Sequence, residues 1–408
     1  MINILGVNID NFKKNQALTK IDSFFNSKNN HLIVTVNPEI ILKAIKDEEY
    51  FTVINHSDMR TIDGIGVKIA SWLVFRCPKR LTGYELSKYL IDKCAEENRG
   101  VAVINWNVGL SKNLELSNYF KKNYPNLCIK ILDVPKSREP NKDLVMKLND
   151  FKPELIMCSL GNPEQEIMLS KLKSEIDSSR VMVGIGGSLD YIIGKKKQAP
   201  KLFRILGLEW FWRLYGQPIK DLPTKRKERV YNAFFVFGYK FLRWRFILPF
   251  FYRKNVAVLM YKKTQKGYKV FMVERSDDFG HWQFPQGGLD GLNVKEAGLK
   301  EIREESGAKN IKYITHTEFI HKYKFSLNMN RHRGAVSHSF TGYKGQKQAL
   351  LIVEYLGDNT DIRINAWDHS AWQWIYLNNV IDRAHKVRQE SMKKFIKIFK
   401  EKYHEDKN

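Results

Sequence analysis

Residues 1–194 alternate short apolar runs with longer stretches of helical periodicity, and this alternation restricts the fold more than any other feature. Helical patterns lie at residues 83–97 and 114–123, for example. Strands that alternate with helices predict an α/β domain built on a mainly parallel sheet, whose ligands usually bind beyond the carboxyl ends of the strands. The runs that read as strands are residues 2–7, 32–36, 101–104, 128–132, 155–158 and 181–185.

The chain is too long for one ordinary hydrophobic core, since 408 residues suggest two domains. We predict a first domain at residues 1–194, a basic aromatic segment at 195–254 and a second domain at 255–408. The four cysteines have no metal-ligand spacing, which indicates reduced thiols in a cytoplasmic protein. The start has no signal-peptide pattern, and no window offers the roughly 20 uninterrupted apolar residues of a spanning helix.

Polar and glycine residues follow the predicted strands of the first domain. Thr35 and Asn37 lie at one strand end, and Asp63 lies in an Asp-Gly-Ile-Gly turn. Gln165 opens a helix after another strand, and the glycine-rich turn at residues 184–190 can present amide groups to phosphates. Each group is weak alone, because an Asp-Gly pair is most often only a turn.

Their order along the chain is more specific. Together with the Arg80-Leu81-Thr82-Gly83 stretch and the Gly, Trp, Arg and Pro pattern of residues 207–218, these groups resemble the WecG/TagA/CpsF family of glycosyltransferases over about residues 1–250. The resemblance implies a Rossmann-like domain that works without a metal or other cofactor. It also implies inverting transfer of N-acetylmannosamine, or a similar sugar, from a UDP donor to a polyprenyl-diphosphate-linked sugar in cell-surface polysaccharide synthesis.

The resemblance also assigns roles to residues. Asp63 matches the family's proposed general base, which takes the proton from the acceptor hydroxyl as it attacks the anomeric carbon. Arg80 would neutralise diphosphate charge. Residues 105–109 (NWNVG) depart from the usual glycine-rich loop, so the donor's base and sugar stay open. The other residues matched to substrate binding are Thr35, Asn37, Gln165, Gly186, Gly187, Asp190 and Arg213.

Residues 195–254 carry sixteen Lys and Arg against three acids, which is more than half of the chain's net charge of +24. Aromatic residues such as Trp210, Trp212 and Trp244 are interleaved with the basic ones. This mixture suits an anionic membrane surface, but it also suits nucleic acid, and charge alone leaves both open. The family resemblance favours the membrane, because it implies a basic amphipathic helical appendage that docks there.

The pattern changes after residue 254. Residues 256–262 and 268–274 predict a strand hairpin, and a helix is predicted at residues 294–306 with Asn293 as N-cap and Gly307 as terminator. Three glutamates of this helix share one face because they stand at i, i+3 and i+4. Either they form a solvated acidic face or they hold Mg²⁺ or Mn²⁺. These residues are Glu301, Glu304 and Glu305.

The stretches KEIREESG and FPQGG resemble the Nudix box and its entry loop. With residues 345–355 and Trp372-Gln373-Trp374, they resemble the RNA pyrophosphohydrolase and diadenosine-polyphosphate hydrolase branch over about residues 253–400. The resemblance implies an α/β/α sandwich, with Glu304 and Glu305 catalytic and Asp368 as a further metal ligand. Two departures stand out: the spacing from Gly288 to Glu301 is shorter than usual, which removes a loop glutamate, and Lys300 replaces the customary arginine.

The sequence thus predicts a bifunctional enzyme at the cytoplasmic face of the plasma membrane. Its expected partners are a UDP-sugar, a polyprenyl-diphosphate-linked acceptor, an anionic membrane surface and a nucleotide for the Nudix domain. Two alternatives stay open. The Nudix domain acts on RNA 5′ ends while the basic segment binds the RNA, or it senses a nucleotide without catalysis.

Overall fold

The computed structural model describes residues 1–76, 78–200, 202–203, 209, 212, 228, 231–276, 278–325, 342–364 and 368–405. The chain divides into two compact units, Met1–Arg243 and Trp244–Asn408. The three-part division with boundaries at 194 and 254 stays a prediction. Arg213 and most of residues 204–230, including Trp210, lie outside the described residues.

Six parallel strands form the sheet of the first unit, in the order β4-β3-β8-β7-β5-β6. Their bounds are β3 (His31–Val36), β4 (Met59–Ile62), β5 (Val101–Trp106), β6 (Ile129–Val134), β7 (Leu155–Cys158) and β8 (Val181–Gly184). The strand order reverses beside β3, with β4 on one side and the later strands on the other. The carboxyl ends of β3 and β8 are therefore where a ligand crevice is expected.

Helices cover the sheet and bury an aliphatic core that includes Ile33, Val103, Met157 and Val183. The mainly parallel α/β architecture predicted from the alternation is confirmed. The helices are α1 (Lys14–Phe25), α2 (Pro38–Ala44), α3 (Glu48–His56), α4 (Ile65–Leu73), α5 (Gly83–Glu96), α6 (Asn113–Asn123), α7 (Lys142–Phe151), α8 (Glu164–Leu172) and α9 (Ser188–Ile192).

Two strands differ from the prediction. The run at residues 2–7 is not one strand, because Leu5 and Gly6 turn at φ 53° and 89° and make an antiparallel hairpin outside the main sheet. That hairpin consists of β1 (Ile2–Ile4) and β2 (Val7–Ile9). Strand β4 was missed because Arg60 interrupts its apolar pattern. The Arg60 guanidinium is buried through donation to the Asn55 and Ser57 carbonyls, both at 2.7 Å.

A helical run ends the first unit and continues into the first residues of the second. It comprises a π-helical turn (Asn232–Val236), α10 (Phe237–Leu242), a second π-helical turn (Arg243–Ile247) and a 3₁₀ turn (Leu248–Phe250). Phe237 and Phe241 are buried. A Cβ on Gly66 would lie 3.7 Å from Phe237 Cδ1, so this run packs against the start of α4. Phe235, Tyr239 and Leu242 of the same run are exposed, and the amphipathic appendage predicted over residues 195–254 stays a prediction.

The second unit has an eight-stranded mixed sheet with a helix on each face. Strands β9 and β15 pair in parallel, and β9 forms the predicted hairpin with β10. Alternate residues of β9 pack toward α11 or toward α13, which gives the expected α/β/α sandwich. The elements are β9 (Tyr252–Thr264), β10 (Gly267–Arg275), β11 (Trp282–Gln283), β12 (Gln286–Gly288), α11 (Val294–Ser306), β13 (Ile311–His316), β14 (His321–Lys324), β15 (Gly345–Tyr355), β16 (His369–Tyr376), α12 (Val380–Arg383) and α13 (Lys386–Glu405).

Candidate functional sites

Asp63 lies where the loops after β3 and β4 meet. Its backbone N–H donates to the Val36 carbonyl at 2.9 Å, which ties it to the end of β3. A Cβ on the next residue, Gly64, would lie 2.6 Å from Pro38 Cδ and 3.3 Å from Asn37 Cβ. Only glycine permits this approach. The two predicted site residues Asn37 and Asp63 are therefore brought together on adjacent loops.

Asn37 also has a structural task, since its Oδ1 accepts a hydrogen bond from the Ile40 N–H at 3.0 Å and caps α2. Thr35 is buried near the start of α5. A Cβ on Gly83 would lie 3.6 Å from Thr35 Oγ1 and 3.3 Å from Ser188 Oγ. The ends of β3 and β8 and the start of α5 thus converge at one edge of the sheet.

Gln165 links two loops from inside the protein. Its Oε1 accepts hydrogen bonds from the Gly161 N–H at 3.1 Å and the Gly186 N–H at 3.0 Å. Its Nε2 donates to Glu166 Oε1 at 2.7 Å. The side chain is 4% exposed. Because its oxygen and its nitrogen are both engaged, the structure gives Gln165 a positioning role for the turn that carries Gly186 and Gly187.

Behind Gln165 lies a buried acid that the sequence prediction did not single out. Burial raises the pKa of the Glu166 carboxyl to about 7. Glu166 Oε2 accepts a hydrogen bond from the Tyr50 hydroxyl at 3.1 Å, and burial with the nearby Glu166 charge raises the pKa of Tyr50 well above its ordinary value. The sequence signal was present, since Gln165-Glu166 opens α8 directly after the Ser159–Pro163 turn.

Asp190 is held by two side chains that the sequence prediction also missed. Its Oδ1 accepts a hydrogen bond from Ser111 Oγ at 2.6 Å, and its Oδ2 pairs with Lys196 Nζ at 2.8 Å. Asn105, from the departing NWNVG stretch, donates to Asp133 Oδ1 at 2.7 Å. The Asn105 side chain is therefore part of a polar network. Lys196, at the start of the basic segment, neutralises the charge of Asp190.

Arg80 forms an ion pair with Glu209, with Nη2 and Oε1 2.6 Å apart. Its backbone bridges to Ile62, next to Asp63. The Arg80 Nε is buried and has no hydrogen-bond partner among the described residues. Arg80 thus lies beside the loop of Asp63, and its Nε–H is an unused donor within the described part of the chain. Glu209 could be found in the sequence only as an isolated acid within the basic segment.

An apolar surface lies next to this site on the same unit. On α4 and just after it, Ile69, Trp72, Leu73 and Phe75 are exposed, Phe75 at 82%. The adjoining helical run exposes one further stripe, in which the Tyr231 and Phe235 rings stack with centroids 5.4 Å apart. The members of that stripe are Tyr231, Phe235, Tyr239 and Leu242. We call this stripe and the exposed residues on and just after α4 together the apolar face. No helix in the described part of the chain is both long and apolar enough to cross a membrane.

The second site lies on the glutamate helix of the second unit. The predicted caps are confirmed, because Asn293 Oδ1 accepts a hydrogen bond from the Glu296 N–H at 2.9 Å and Gly307 ends the helix at φ 69°. The Glu301 carboxylate lies over Gly287. A Cβ on that glycine would be 1.9 Å from Glu301 Cδ, so a larger residue there would displace the carboxylate from its present position.

Two carboxyls of this helix, Glu301 and Glu305, have raised pKa values. Burial, then Glu305, then Glu304 raise the pKa of Glu301 to about 8. Burial also raises the pKa of Glu305, and the nearby Asp368 adds to the shift. Glu304 is more exposed and lies 3.6 Å from Lys300 Nζ. The four acids named from the sequence are therefore not equivalent: Glu301, Glu305 and Asp368 influence one another from the inside, and Glu304 faces solvent.

His369 is an unexpected neighbour of this site. It follows Asp368 and is 3% exposed, and its Nε2 lies 3.2 Å from Glu305 Oε2. The two atoms are not aligned for a hydrogen bond, and neither ring nitrogen has a hydrogen-bond partner in the described part of the chain. The same Glu305 oxygen accepts a hydrogen bond from the Gln286 N–H at 3.3 Å.

Within the described ranges, a separate group of Asp278, His281 and His385 is compact enough to bind a metal ion. His281 Nδ1 lies 2.8 Å from Asp278 Oδ2. The two imidazole rings, however, stack with centroids 4.0 Å apart and planes 11° from parallel. Because a histidine ligand holds its ion in the ring plane, two stacked rings do not point at one ion. The arrangement fits packing of the loop before β11.

The fold and sites define a two-domain α/β enzyme, with one site at the carboxyl edge of a parallel sheet and a second on a glutamate helix. Residues 2–248 match the glycosyl transferase WecG/TagA/CpsF family, and residues 251–397 match the NUDIX domain. The chain belongs to the WecG/TagA/CpsF glycosyltransferase family and carries a Nudix domain after it.

Relatives of known name support the assignment of the first domain. The chain is 32% identical over 252 residues to the N-acetylglucosaminyldiphosphoundecaprenol N-acetyl-beta-D-mannosaminyltransferase of Staphylococcus aureus strain COL, covering 57% of this chain and 95% of the relative. The protein of the same name from strain MRSA252 is 32% identical over 257 residues, with the same coverage. Among solved structures, a C. elegans Ap4A hydrolase complex covers 36% of this chain and 97% of its own, at 16% identity and a TM-score of 0.28. A score this low supports no statement about activity.

Proposed function

We propose that the first domain transfers N-acetylmannosamine, or a closely similar sugar, from a UDP donor to a polyprenyl-diphosphate-linked N-acetylglucosamine. The observation that carries the proposal is the convergence of Asn37, Asp63 and the Gly186 turn at the carboxyl edge of the sheet. The Staphylococcus aureus relatives, whose names state this transfer, match almost their full length. The reaction inverts the anomeric centre and needs no metal.

Asp63 is the proposed general base. Its backbone is fixed by the Val36 carbonyl and its loop by the Gly64–Pro38 contact, so the carboxylate is held in one place. It takes the proton from the acceptor hydroxyl as the oxygen attacks the anomeric carbon and the C–O bond to UDP breaks. Positioned proton transfer of this kind is typically worth about 10²–10⁴-fold in rate.

Arg80 and the Gly187 N–H are proposed to stabilise the charge on the leaving diphosphate. A backbone N–H group aimed at developing charge stabilises it without reorganisation. Gln165 positions this turn, because its Oε1 accepts a hydrogen bond from the Gly186 N–H. Asp190 is already paired with Ser111 and Lys196, so its proposed part is to shape the pocket rather than to bind a cation.

The apolar face is the proposed contact with the membrane that holds the acceptor. Part of it lies on α4, which spans Ile65–Leu73 and so begins two residues after Asp63. Its aromatic residues are accompanied by Lys68, whose ammonium lies 5.2 Å from the Trp72 ring centre, and by Lys240 and Arg243. Exposed aromatics with flanking cations suit the interface of an anionic bilayer. On this basis the protein is proposed to act at the inner face of the plasma membrane.

For the second domain we propose metal-dependent hydrolysis of a nucleoside-diphosphate-linked compound. The residues fit a divalent cation, because they offer carboxylate oxygens, and because burial and the neighbouring Glu305 and Glu304 raise the pKa of Glu301 to about 8. Glu301, Glu304, Glu305 and Asp368 would hold Mg²⁺ or Mn²⁺. Such an ion supplies charge stabilisation to phosphate oxygens. Glu304, the exposed carboxylate, would accept the proton of the attacking water. Lys300, which lies beside Glu304, would orient that carboxylate.

One experiment tests both proposals. The whole protein is incubated with a panel of UDP-sugars and a short-chain polyprenyl-diphosphate-linked N-acetylglucosamine, with Mg²⁺ or with a chelator, and the products are identified by mass. We expect transfer under both conditions and nucleotide hydrolysis only with the ion. Transfer that disappears with the chelator would refute the metal-independent mechanism. Absence of hydrolysis over a broad nucleotide panel would refute the second activity and favour the sensing alternative.

A further inference from the structure

His369 is a buried imidazole with both nitrogens unused. At 3% exposure it is shielded from water, and in the described part of the chain neither Nδ1 nor Nε2 has a hydrogen-bond partner. Buried polar side chains nearly always have hydrogen-bond partners, so a buried imidazole with two unpaired nitrogens needs a physical explanation. The nearest charged atom is Glu305 Oε2, 3.2 Å from Nε2.

Nε2 and the Glu305 oxygen are close enough to interact, and the histidine opposes the burial that raises the pKa of Glu305, but the pair lacks the alignment of a well-formed hydrogen bond. Glu305 Oε2 already accepts a hydrogen bond from the Gln286 N–H, and its second lone pair can contact another group. Two adjacent ligands of an octahedral ion, with bonds of about 2.1–2.2 Å, lie about 3 Å apart. The observed separation is close to that value.

We propose that His369 Nε2 is a direct ligand of the divalent cation in the second domain, beside Glu305. The inference rests on the metal-binding part of the proposed function and adds a nitrogen donor to its oxygen donors. All-oxygen sites suit Mg²⁺, whereas an imidazole raises affinity for transition ions in the order Mn²⁺ below Co²⁺. The site would therefore prefer Mn²⁺ or Co²⁺ to Mg²⁺, in contrast to a site built from carboxylates alone.

The neighbouring residues support a ligand role. Asp368 comes directly before His369, and its charge acts on Glu305, so both residues of the Asp-His pair lie at the same carboxylate. His369 opens β16, where the pairing with β10 shifts register between Glu274 and Arg275. Glu274 fixes this region by accepting hydrogen bonds from the Gly280 N–H and the Ser370 hydroxyl, both at 2.8 Å. The ring is therefore held in place by strand backbone rather than by its own hydrogen bonds.

Pulsed EPR of bound Mn²⁺ tests the proposal directly. The whole protein, prepared without a histidine tag, is loaded with half an equivalent of Mn²⁺ and examined for ¹⁴N modulation from a coordinated imidazole. We expect ¹⁴N modulation that is replaced by the ¹⁵N pattern when the protein is labelled with ¹⁵N-histidine. This measurement needs no substitution, so it does not depend on whether a variant folds.

Substitutions then identify which histidine supplies the coordinated nitrogen. His369→Phe should remove the modulation and weaken Mn²⁺ or Co²⁺ binding about tenfold in calorimetry, with little change for Mg²⁺. His321→Phe is the matched control, because His321 is equally buried on β14 of the same domain, and it should keep the modulation. Glu301→Gln should weaken Mn²⁺ binding and reduce the signal with it.

Each outcome separates this inference from the proposed hydrolysis. Mn²⁺ that binds without ¹⁴N modulation, or modulation that survives in His369→Phe, overturns the ligand role and leaves the hydrolase proposal standing. Modulation that is lost in His369→Phe, in a protein that hydrolyses no nucleotide, supports the ligand role while the hydrolase proposal fails. Absence of Mn²⁺ binding overturns both the ligand role and the metal-dependent mechanism.

Discussion

Glu166 in the first domain is buried and Glu301 in the second is half-buried, and both carboxyls have raised pKa values, about 7 and about 8. Their neighbours differ. Glu166 accepts hydrogen bonds from Gln165 and Tyr50, whereas Glu301 faces Glu305 and Glu304. The first acid is stabilised by protein donors and a proton. The second is surrounded by further negative charge, and a cation would relieve it.

The same contrast holds for the sites as wholes. In the first site, the charge of Asp190 is neutralised by Lys196 and the charge of Arg80 by Glu209. These charges therefore need no ion from outside the protein. In the second, the carboxylates lie beside His369, whose nitrogens have no hydrogen-bond partner among the described residues. The contrast is consistent with the two proposed functions, in which the first domain works without a metal and the second needs an ion. Four predictions test it, beginning with the largest effect.

The Asp63→Asn variant should lose sugar transfer by about 10²–10⁴-fold in kcat, because the amide cannot take the acceptor proton. Nucleotide hydrolysis should be unchanged. Initial rates of both reactions are measured on the same preparation. Glu304→Gln is the matched control, since it removes one carboxylate charge from the other site and should give the opposite result. Equal transfer rates in Asp63→Asn and the parent protein would contradict the base assignment.

Glu166 should make the first domain less stable as the pH rises. The folded carboxyl keeps its proton up to about pH 7, whereas the unfolded chain loses it near 4.5. The stabilisation is complete below pH 4.5 and is lost as the pH rises through 7, a change of about 3 kcal/mol. In Glu166→Gln this loss should be absent, so the variant should gain stability relative to the parent between pH 5 and 8.

Urea unfolding of the full chain at several pH values measures this difference, and hydrogen exchange assigns the transition to the first domain. Glu96→Gln serves as the control because Glu96 is exposed on the adjacent helix α5. A stability difference between Glu166→Gln and the parent that stays constant with pH would show that Glu166 is ionised throughout. The contrast with Glu301 would then be lost.

Much of this architecture followed from the sequence. Uninterrupted apolar runs predicted the buried strands β5 and β7, because both faces of a parallel sheet are covered. The caps of α11 were predicted from Asn293 and Gly307, since capping depends on local chemistry. Strand β4 was missed, because Arg60 is buried only through carbonyls of residues 55 and 57, contacts that no local pattern reveals.

The sites were predicted less completely than the fold. Asn37 and Asp63 were identified from strand ends and family resemblance, but the tasks of Gln165 and Asp190 depend on partners far along the chain. Ser111 lies 79 positions from Asp190, so sequence spacing gives no sign of their contact. His369 was overlooked because a histidine beside an acid is common, and only its burial next to Glu305 marks it. The assignments of all these residues to substrate or metal stay predictions.

Ion binding should stabilise the second domain and not the first. At a free Mg²⁺ or Mn²⁺ concentration 100 times its Kd, linkage gives about 2.7 kcal/mol. Glu301 has a pKa of about 8 and is largely protonated at pH 7, so binding should release nearly one proton per site. Calorimetry in buffers of different ionisation enthalpy counts this proton. Glu301→Gln should release fewer, and an unchanged count would place the titrating group elsewhere.

The smallest effect concerns the apolar face, which extends the first site toward the proposed membrane. Phe235 is 67% exposed and stacks on Tyr231, so Phe235→Ser removes apolar area without opening the core. Insertion of part of a phenyl ring is worth about 1 kcal/mol, which predicts roughly fivefold weaker binding to anionic vesicles.

Leu114→Ser is the matched control, because Leu114 is 71% exposed on α6, away from this face. Transfer to a short-chain soluble acceptor should be equal in both variants and the parent, whereas transfer to acceptor held in vesicles should fall only in Phe235→Ser. If vesicle binding fell equally in both, general surface hydrophobicity would account for it. The metal-free domain would then have no membrane-facing side of its own, and the basic residues outside the described ranges would become the first place to look for one.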